Sequence, residues 1–362
     1  MAVTIKDVAK RARVAVGTVS RVINGRTDVH PTLRARVDKA IQELHYRPNL
    51  GARNLGRNSS PILSFILSNR SFTHPFHAHI LQGVEEYCER FGYFVLFARF
   101  DYSGETSPSL LRLPGVLQSH GIADCVILSG TNYENFLVAL DGLGMRHVRL
   151  GNNTADAENR PPGDQVRFDD YGGLREATRH LIELGHRDIW FIGDTSFPWV
   201  RTRHAAYRHE MSEAGLEPRG FTTGLASDPF MNGLNSVDFI LEKRYPVTAM
   251  ICANDDNAYG AWQALDQHKL EVPGDVSLIG FDDQHGPLRM PPLTSVKVKT
   301  KEVGWELARM AIAKITSGGM TLPEVVISTN LERRGTCRPP IAHRGERVGD
   351  SEHDFALESK AK

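Results

Sequence analysis

Short apolar runs that alternate with helical stretches constrain this 362-residue chain more than any other feature of its sequence. Seven runs have the length and apolar content of buried strands, at residues 62–68, 93–100, 124–130, 147–151, 188–194, 247–254 and 276–283. Helical stretches lie between or after them, at 76–91, 171–184, 203–214, 256–268 and 301–317. This alternation predicts doubly wound parallel sheets, and the number of strands predicts two similar lobes.

The first 45 residues carry a different pattern, which is purely helical. The segment TIKD at 4–7 matches the capping signature that starts a helix. A second short helix is predicted over 16–23, with Asn24-Gly25 as its end, and a third over 31–44. Three short helices, of which the first two are joined by a tight turn, have the proportions of a helix-turn-helix domain.

Charge is divided unevenly between these two regions. Residues 1–57 contain 12 Lys and Arg against 4 Asp and Glu, whereas the remaining residues contain 31 basic and 39 acidic side chains. The chain as a whole has no net charge. A basic module beside an acidic globular part predicts that the module binds a polyanion such as DNA.

The cysteines and the apolar segments indicate where such a chain would work. Cys88, Cys125, Cys252 and Cys337 lack the spacing of a zinc site and are interpreted as buried, reduced thiols. No apolar run approaches the roughly 18 residues of a membrane span, and the first residues lack the apolar core of a signal peptide. We expect a soluble, cytoplasmic protein with neither cofactor nor metal.

Several motifs of the sequence resemble those of a known protein family. Residues 4–55 resemble the LacI/GalR family of transcription regulators, through TIKDVAKRA, TVSRVING, LHYRPN and ARNL in that order. Residues 62 to about 340 resemble the same family's periplasmic-binding-protein-like sensor, through VRFDDYGG, ICANDDNAYGAWQAL, VPGDVSLIGFDD and ERRGTCRPP. The resemblance implies a helix-turn-helix domain followed by a two-lobed α/β domain with parallel, doubly wound sheets.

Domain boundaries follow from these two regions. We expect a DNA-binding domain at 1–46, a hinge helix and linker at 47–61, an effector-binding and dimerisation domain at 62–340, and a disordered tail at 341–362. Lobe 1 is expected at about 62–161 and 292–323, and lobe 2 at about 165–290 and 325–340. The chain should then cross between the lobes near 161–165, 290–295 and 323–330.

The resemblance also implies which residues contact DNA. The TVSRVIN segment would be the recognition helix in the major groove, with Arg21 able to pair with guanine. Leu55 would enter the minor groove at a central base step, held by Arg53. Val16 and Gly17 carry no hydrogen-bonding side chain, which predicts a degenerate preference at the bases they face. The expected DNA-contacting set is Thr4, Val16, Gly17, Thr18, Ser20, Arg21, Asn24, Arg53 and Leu55.

A second set is expected to bind an effector between the lobes. By resemblance, Phe76 would stack on the ligand, Arg203 would clamp its oxygens and Asp255 would accept from its hydroxyls or amines. The complete expected set is Phe76, Asn152, Asp169, Arg203, Phe230 and Asp255. Such a set suits a sugar, a nucleoside or a related polar metabolite. The cluster of His74, His77 and His79 leaves an anionic ligand or a pH effect open.

Two other classes of protein fit the sequence less well. An enzyme of this fold class would need catalytic motifs, and the sequence contains no GxSxG, no P-loop and no GxGxxG after the first strand. A transport receptor would have no use for the basic module. The expected protein is therefore a homodimeric transcription regulator of a near-palindromic operator, with no membrane partner, and we expect it to act as a repressor. Inducer and corepressor remain equally open for the effector.

Overall fold

The chain divides into two units, of which the first is Met1–Ile62 with Gly115–Asp124 and the second is the remainder. This computed structural model describes residues 3–23, 26, 28–46, 61–71, 75–118, 122–155, 163–221, 228–284 and 288–341. Residues 47–60 of the predicted hinge and linker (47–61) and residues 342–362 of the predicted tail (341–362) lie outside the described residues. So do Asn24, Arg53, Leu55 and His74.

The first unit contains the three expected short helices. They are α1 (Ile5–Ala12), α2 (Val16–Ile23) and α3 (Pro31–Glu43). Small apolar side chains form their shared core: Val8, Ala9, Ala12, Val19, Val22, Val29, Val37 and Ala40. The start of α1 is fixed by the Thr4 backbone N–H, which donates to Asp7 Oδ2 at 2.9 Å. Its end is held by the Arg36 guanidinium, which donates to the carbonyl of Arg13 at 2.9 Å.

The second unit is built on two six-stranded sheets. In spatial order, the first contains β13 (Val325–Ile327), β7 (Gln165–Phe168), β5 (His147–Leu150), β3 (Cys125–Gly130), β1 (Ile62–Ser68) and β2 (Phe94–Phe100). The second contains β14 (Asn330–Glu332), β12 (Thr294–Lys297), β11 (Ser277–Asp282), β10 (Ala249–Cys252), β8 (Ile189–Ile192) and β9 (Arg219–Phe221). A small pair, β4 (Asn132–Tyr133) and β6 (Thr154–Ala155), stands apart.

The pairing within both sheets is predominantly parallel, as the alternating pattern predicted. Leu63 pairs with Cys125 in the first sheet, and Ala249 pairs with Ile189 in the second. Strand β14 runs antiparallel to β12. All residues of β3 and β11 are buried, because helices cover both faces of such a sheet.

In the described part of the chain, eight helices lie between or after these strands. They are α4 (Pro75–Phe91), α5 (Gly115–Gln118), α6 (Glu134–Gly142), α7 (Asp170–Glu183), α8 (Pro198–Glu213), α9 (Pro229–Glu242), α10 (Asp255–Gln267) and α11 (Thr300–Thr316). Helices α4 and α11 approach each other closely at two glycines. A Cβ at Gly83 would lie 2.2 Å from the Lys301 carbonyl oxygen, and one at Gly304 would lie 2.1 Å from that of Ile80. No helix of the described part of the chain has the length and apolar character that crossing a membrane requires.

Two of the three predicted crossings between the lobes lie elsewhere, whereas the third falls within the predicted range of 323–330. Strand β7 pairs with β5 and β13 in the first sheet, so the chain leaves lobe 1 at Asp169 and not near 161–165. Strand β12 still belongs to the second sheet, which moves the next crossing from 290–295 to residues 298–299. The third crossing falls at 328–329, between β13 and β14. Strands of four residues do not reveal their sheet by composition, because only the pairing partner decides it.

The four cysteines are free thiols. Cys88, Cys125 and Cys252 are buried, as predicted, whereas Cys337 is only half-buried. Burial raises the pKa of the Cys88 and Cys125 thiols to about 12 in each case. These groups are therefore packing residues, with little thiolate available at neutral pH.

Candidate functional sites

Helix α2 presents one buried face and one exposed face. Val19 and Val22 lie in the core of the first unit. Val16, with 42% of its surface exposed, lies with Gly17 and Arg21 on the opposite side. A Cβ added to Gly17 would meet no atom within 4 Å. This face is therefore open to a surface as close as a nucleic-acid groove.

The residues around the start of α2 hold it without a side-chain cap. The Ala15 carbonyl accepts from the backbone N–H groups of Thr18 and Val19, at 2.9 and 3.3 Å, so Ala15 occupies the capping position. A methyl side chain has no acceptor for these donors. Thr18 and Ser20 are half-buried beside the exposed face.

Thr4 is exposed at the start of α1. Its hydroxyl donates to Asp7 Oδ2 at 2.7 Å, and this bond lowers the pKa of Asp7. The hydroxyl oxygen can still accept a hydrogen bond, but its proton is committed to Asp7.

A cavity of about 350 Å³ lies between the lobes of the second unit. It is formed at the carboxyl ends of the parallel strands, where ligands bind in open α/β sheets. Lobe 1 contributes Asn69, Arg70, Ser71, Phe76, His77, Asn153 and Phe168. Lobe 2 contributes Trp199, Arg203, Pro229, Asn254, Asp256 and Asp282. Aromatic rings and polar groups on both walls suit a ligand with flat apolar faces and many hydrogen-bonding groups.

Arg203 forms three hydrogen bonds with other groups of the protein. Its Nε donates to Asp170 Oδ1 at 2.7 Å, and its Nη2 donates to Asp282 Oδ1 at 3.3 Å. Its Nη1 donates to the carbonyl of Ala253, and its guanidinium carbon lies 3.5 Å from the centre of the Phe281 ring. Three of its five N–H donors are therefore committed within the protein.

Asn152 supports this arginine from lobe 1. Its side-chain Nδ2 donates to Asp170 Oδ2 at 2.6 Å and to the Phe168 carbonyl at 2.8 Å. Its Oδ1 accepts from the Phe168 backbone N–H at 3.0 Å. Burial raises the pKa of Asp170, while Arg203 and Asn152 oppose that rise. Asn152 thus positions Phe168 and Asp170 and is not among the residues that line the cavity.

Two of the six expected effector residues, Phe76 and Arg203, line the cavity. For the positions Asn152, Phe230 and Asp255, an adjacent residue lines it instead: Asn153, Pro229 and Asp256. Successive residues of a helix or 3₁₀ turn point about 100–120° apart, so a shift of one position changes the wall a side chain faces. Asp169 instead caps α7, where its Oδ1 accepts from the Gly172 N–H at 2.8 Å.

Asp255 is buried in lobe 2. Its Oδ1 accepts from the Ser295 hydroxyl at 2.6 Å. Burial raises the pKa of Asp255 well above its usual value, and the charges of Asp282 and Asp283 add to this rise. Asp255 is therefore a buried carboxyl bonded within lobe 2 and does not line the cavity.

The sequence interpretation missed several cavity residues, chiefly Arg70, Trp199, Asn254 and Asp282. The paired aspartates at the end of β11 were visible as a motif, but their geometry was not. Asp282 and Asp283 both have positive φ angles, 104° and 49°, which turn the Asp282 carboxylate toward Arg203. Arg70 carried no local signal, because it reaches the cavity only through the turn that follows β1.

The two described histidines of the predicted cluster have separate roles. His77 is buried, lines the cavity and shares a hydrogen bond of 3.0 Å with Ser129 Oγ. His79 is half-buried and lies 2.8 Å from Gln284 Oε1, which also accepts from Thr300 Oγ1 at 2.8 Å. Gln284 thereby joins the end of β11 to two helices of lobe 1. In the described residues, no cluster of His, Cys, Asp and Glu could hold a metal ion.

Comparisons with known proteins find a matching family model in each of the two units. The family model of bacterial regulatory proteins of the lacI family matches residues 4–49, and a periplasmic binding protein-like domain matches 178–337. The HTH-type transcriptional regulator RegA of Clostridium saccharobutylicum is 30% identical over 93% of this chain and 100% of its own length. The chain belongs to the LacI family. It is therefore a DNA-binding transcription regulator with a helix-turn-helix domain and a type I periplasmic-binding-like domain.

Other LacI-family members also match this chain over nearly its whole length. The regulator CelR of Thermobifida fusca is 31% identical over 91% of this chain and 96% of its own length. A solved CelR–cellobiose complex is 29% identical, covers 92% of this chain and 100% of that chain, and has a TM-score of 0.66. The Lac repressor bound to ONPG, at 23% identity, covers 93% of this chain and 100% of that chain with a TM-score of 0.77, and shares the fold.

Proposed function

We propose that this LacI-family regulator is a homodimeric repressor that acts in the cytoplasm and reads a near-palindromic operator with α2. A small polar metabolite in the interlobe cavity would modulate its affinity for DNA. The observation that carries the proposal is the open face of α2, where Val16, Gly17 and Arg21 are exposed beside a fully packed core. The similar proteins are regulators, which supports control of transcription over catalysis.

On DNA, each residue of the open face has a distinct chemical role. Arg21 can donate two hydrogen bonds to guanine O6 and N7, a contact worth about 1–3 kcal/mol of discrimination. Val16 offers an apolar contact to a thymine methyl, and Gly17 lets the helix approach the groove closely. Thr4, Thr18 and Ser20 are suited to the phosphate backbone, which sets register.

In the cavity, Phe76 and Arg203 are the proposed ligand contacts that sequence and geometry share. Phe76 and Trp199 supply aromatic surface, while Asn254, Asp256 and the remaining donors of Arg203 supply hydrogen bonds. This combination favours a hydroxyl-rich metabolite. CelR was solved with cellobiose, a ligand of that chemical kind.

A second copy of the chain is the proposed partner for an apolar patch on lobe 1. The patch consists of Phe91, Phe94, Leu96 and Phe97, whose surfaces are 53%, 51%, 39% and 44% exposed. It lies at the end of α4 and on β2, the edge strand of the first sheet, where exposed apolar residues invite a partner. A two-fold dimer would place two α2 helices on the two halves of a palindrome.

The proposal is tested by selecting DNA sequences with the full-length protein at near-physiological salt. The wild type should enrich a near-palindromic site. Arg21→Ala should lose preference at the bases that Arg21 faces but keep salt-sensitive binding to any DNA. Lys39→Ala, which removes an exposed cation from α3, serves as the matched control and should enrich the wild-type site. Unchanged enrichment by Arg21→Ala would contradict the assignment of α2.

A further inference from the structure

We propose that the effector carries one carboxylate or phosphate group and that Arg70 binds it. This inference rests on the proposed function, because it assigns a chemical group to a ligand of the same cavity. Arg70 lies in the turn after β1, on the lobe 1 wall. Its contacts, its charge environment and its fixed position each point to an oxyanion.

The contacts of Arg70 leave its outer edge directed to the ligand space. Its Nε donates to Thr131 Oγ1 at 3.2 Å. Its guanidinium carbon lies 4.7 Å from the centre of the Phe197 ring, which belongs to lobe 2. One edge and one face are thus occupied, whereas the terminal N–H groups, which form a fork suited to two oxygen atoms, have no hydrogen-bond partner among the described residues.

The two arginines of the cavity differ in whether a carboxylate of the protein pairs with their positive charge. Arg203 forms ion pairs with Asp170 and Asp282, at 2.7 and 3.3 Å. Arg70 forms no ion pair with any carboxylate in the described part of the chain. Burial lowers the pKa of Arg70, and electrostatic interactions with Tyr133 and Asp282 oppose this effect only in part. A half-buried cation without a counterion is stabilised when a ligand supplies one.

The turn that carries Arg70 is held rigidly before any ligand arrives. Asn69, with a φ of 52°, donates through Nδ2 to the Thr131 carbonyl at 3.1 Å and accepts through Oδ1 from the Tyr102 N–H at 2.8 Å. The Thr131 N–H in turn donates to the Ser68 carbonyl at 2.8 Å. Because β1, β2 and β3 all anchor this turn, the guanidinium needs little ordering when it binds.

The opposite wall limits the ligand to one anionic end. Asp256 and Asn254 lie on lobe 2 at the start of α10. A carboxylate there repels a second anionic group but accepts hydrogen bonds from hydroxyls. The ligand class that fits both walls is a polyhydroxylated acid or a sugar phosphate.

Thermal unfolding of the full-length protein tests this inference with three probes at constant ionic strength. The probes are inorganic phosphate, D-gluconate and D-glucitol, the last being a neutral polyol with the same carbon chain as gluconate. The variants are Arg70→Gln, Arg70→Lys, which keeps the charge, and Arg201→Gln, which removes an exposed arginine of α8 as a matched control. Operator binding without probe is measured for each variant.

We expect phosphate or gluconate to raise the unfolding midpoint of the wild type and of Arg201→Gln more than glucitol does. Arg70→Gln should lose this anion-dependent shift, and Arg70→Lys should retain part of it. Equal shifts in the wild type and Arg70→Gln, including no shift in either, would overturn the inference. Operator binding by these proteins would leave the proposed function standing in that case, whereas its absence from the wild type would count against the proposed function itself.

Discussion

Removing the Arg203 side chain should lower the stability of the second unit, whether or not a ligand is bound. Arg203 and Asp170 each expose only 2% of their side chains, and the two are joined by an N–O contact of 2.7 Å. The guanidinium also bonds to Asp282 and to the Ala253 carbonyl. Arg203→Ala therefore leaves a buried carboxylate without its counterion and opens a void beside Phe281 and Trp199.

The expected loss of stability follows from this geometry. Breaking a buried ion pair by removing one partner costs about 3–5 kcal/mol, because the remaining charge stays buried and uncompensated. No correction for solvent screening applies to a pair this deeply buried. Arg201→Ala, two residues away on the exposed side of α8, should cost less than about 0.5 kcal/mol.

Urea unfolding, followed by fluorescence of the second unit's tryptophans, would measure this difference at two pH values. Burial already raises the pKa of Asp170, and the loss of Arg203 removes the main opposing influence, so the folded-state pKa rises further. A raised carboxyl pKa costs stability as pH increases through it, and this cost vanishes when both states are protonated. The destabilisation by Arg203→Ala should therefore be smaller near pH 5 than near pH 8.

Two results would refute this reasoning. A loss below about 1 kcal/mol at pH 8 would mean that Asp170 finds another partner or water in the variant. A loss that does not change with pH would mean that packing beside Phe281, and not the uncompensated charge, dominates. The first result would leave Arg203 free to act mainly as a ligand contact, as its sequence context suggested, whereas the second would assign its structural role to packing.

Three further changes have defined outcomes. Ala15→Ser supplies the missing cap of α2 and should stabilise the first unit by about 1 kcal/mol in chemical denaturation, whereas no gain would mean that the cap cannot form. Gly17→Ala should stabilise the same unit by up to about 1 kcal/mol, since the added methyl meets no atom within 4 Å, and a loss would reveal a contact at that face. Phe94→Asp should shift the light-scattering mass from two chains toward one, and an unchanged dimer would exclude the lobe 1 patch as the interface.

The helix-turn-helix domain was predictable in detail because its structure is local. Its helices follow from the spacing of apolar residues such as Val8, Val19 and Val37, and the start of α1 follows from a capping motif four residues long. The sequence also shows that α2 lacks a side-chain cap, because Ala15 has no hydrogen-bond acceptor in its side chain. Local rules suffice where each contact is made between residues close in sequence.

The sheets were predictable as a class but not in their pairing. Long buried runs such as β1 and β3 are evident, whereas β7 and β12, with four residues each, are not. Their pairing decides where the chain changes lobes, at Asp169 and at 298–299. Pairing depends on partners more than a hundred residues away, as between β7 and β13.

The sequence by itself determined the family, the two kinds of unit, the open face of α2 and the presence of an arginine and a phenylalanine in the cavity. Only the tertiary structure decided that Arg203 is paired with Asp170 and Asp282 while Arg70 is not. It also decided that Asp256, and not Asp255, lines the cavity. The reason is that composition and spacing specify which chemical groups a chain carries, whereas their charge compensation and direction depend on residues brought together from distant strands.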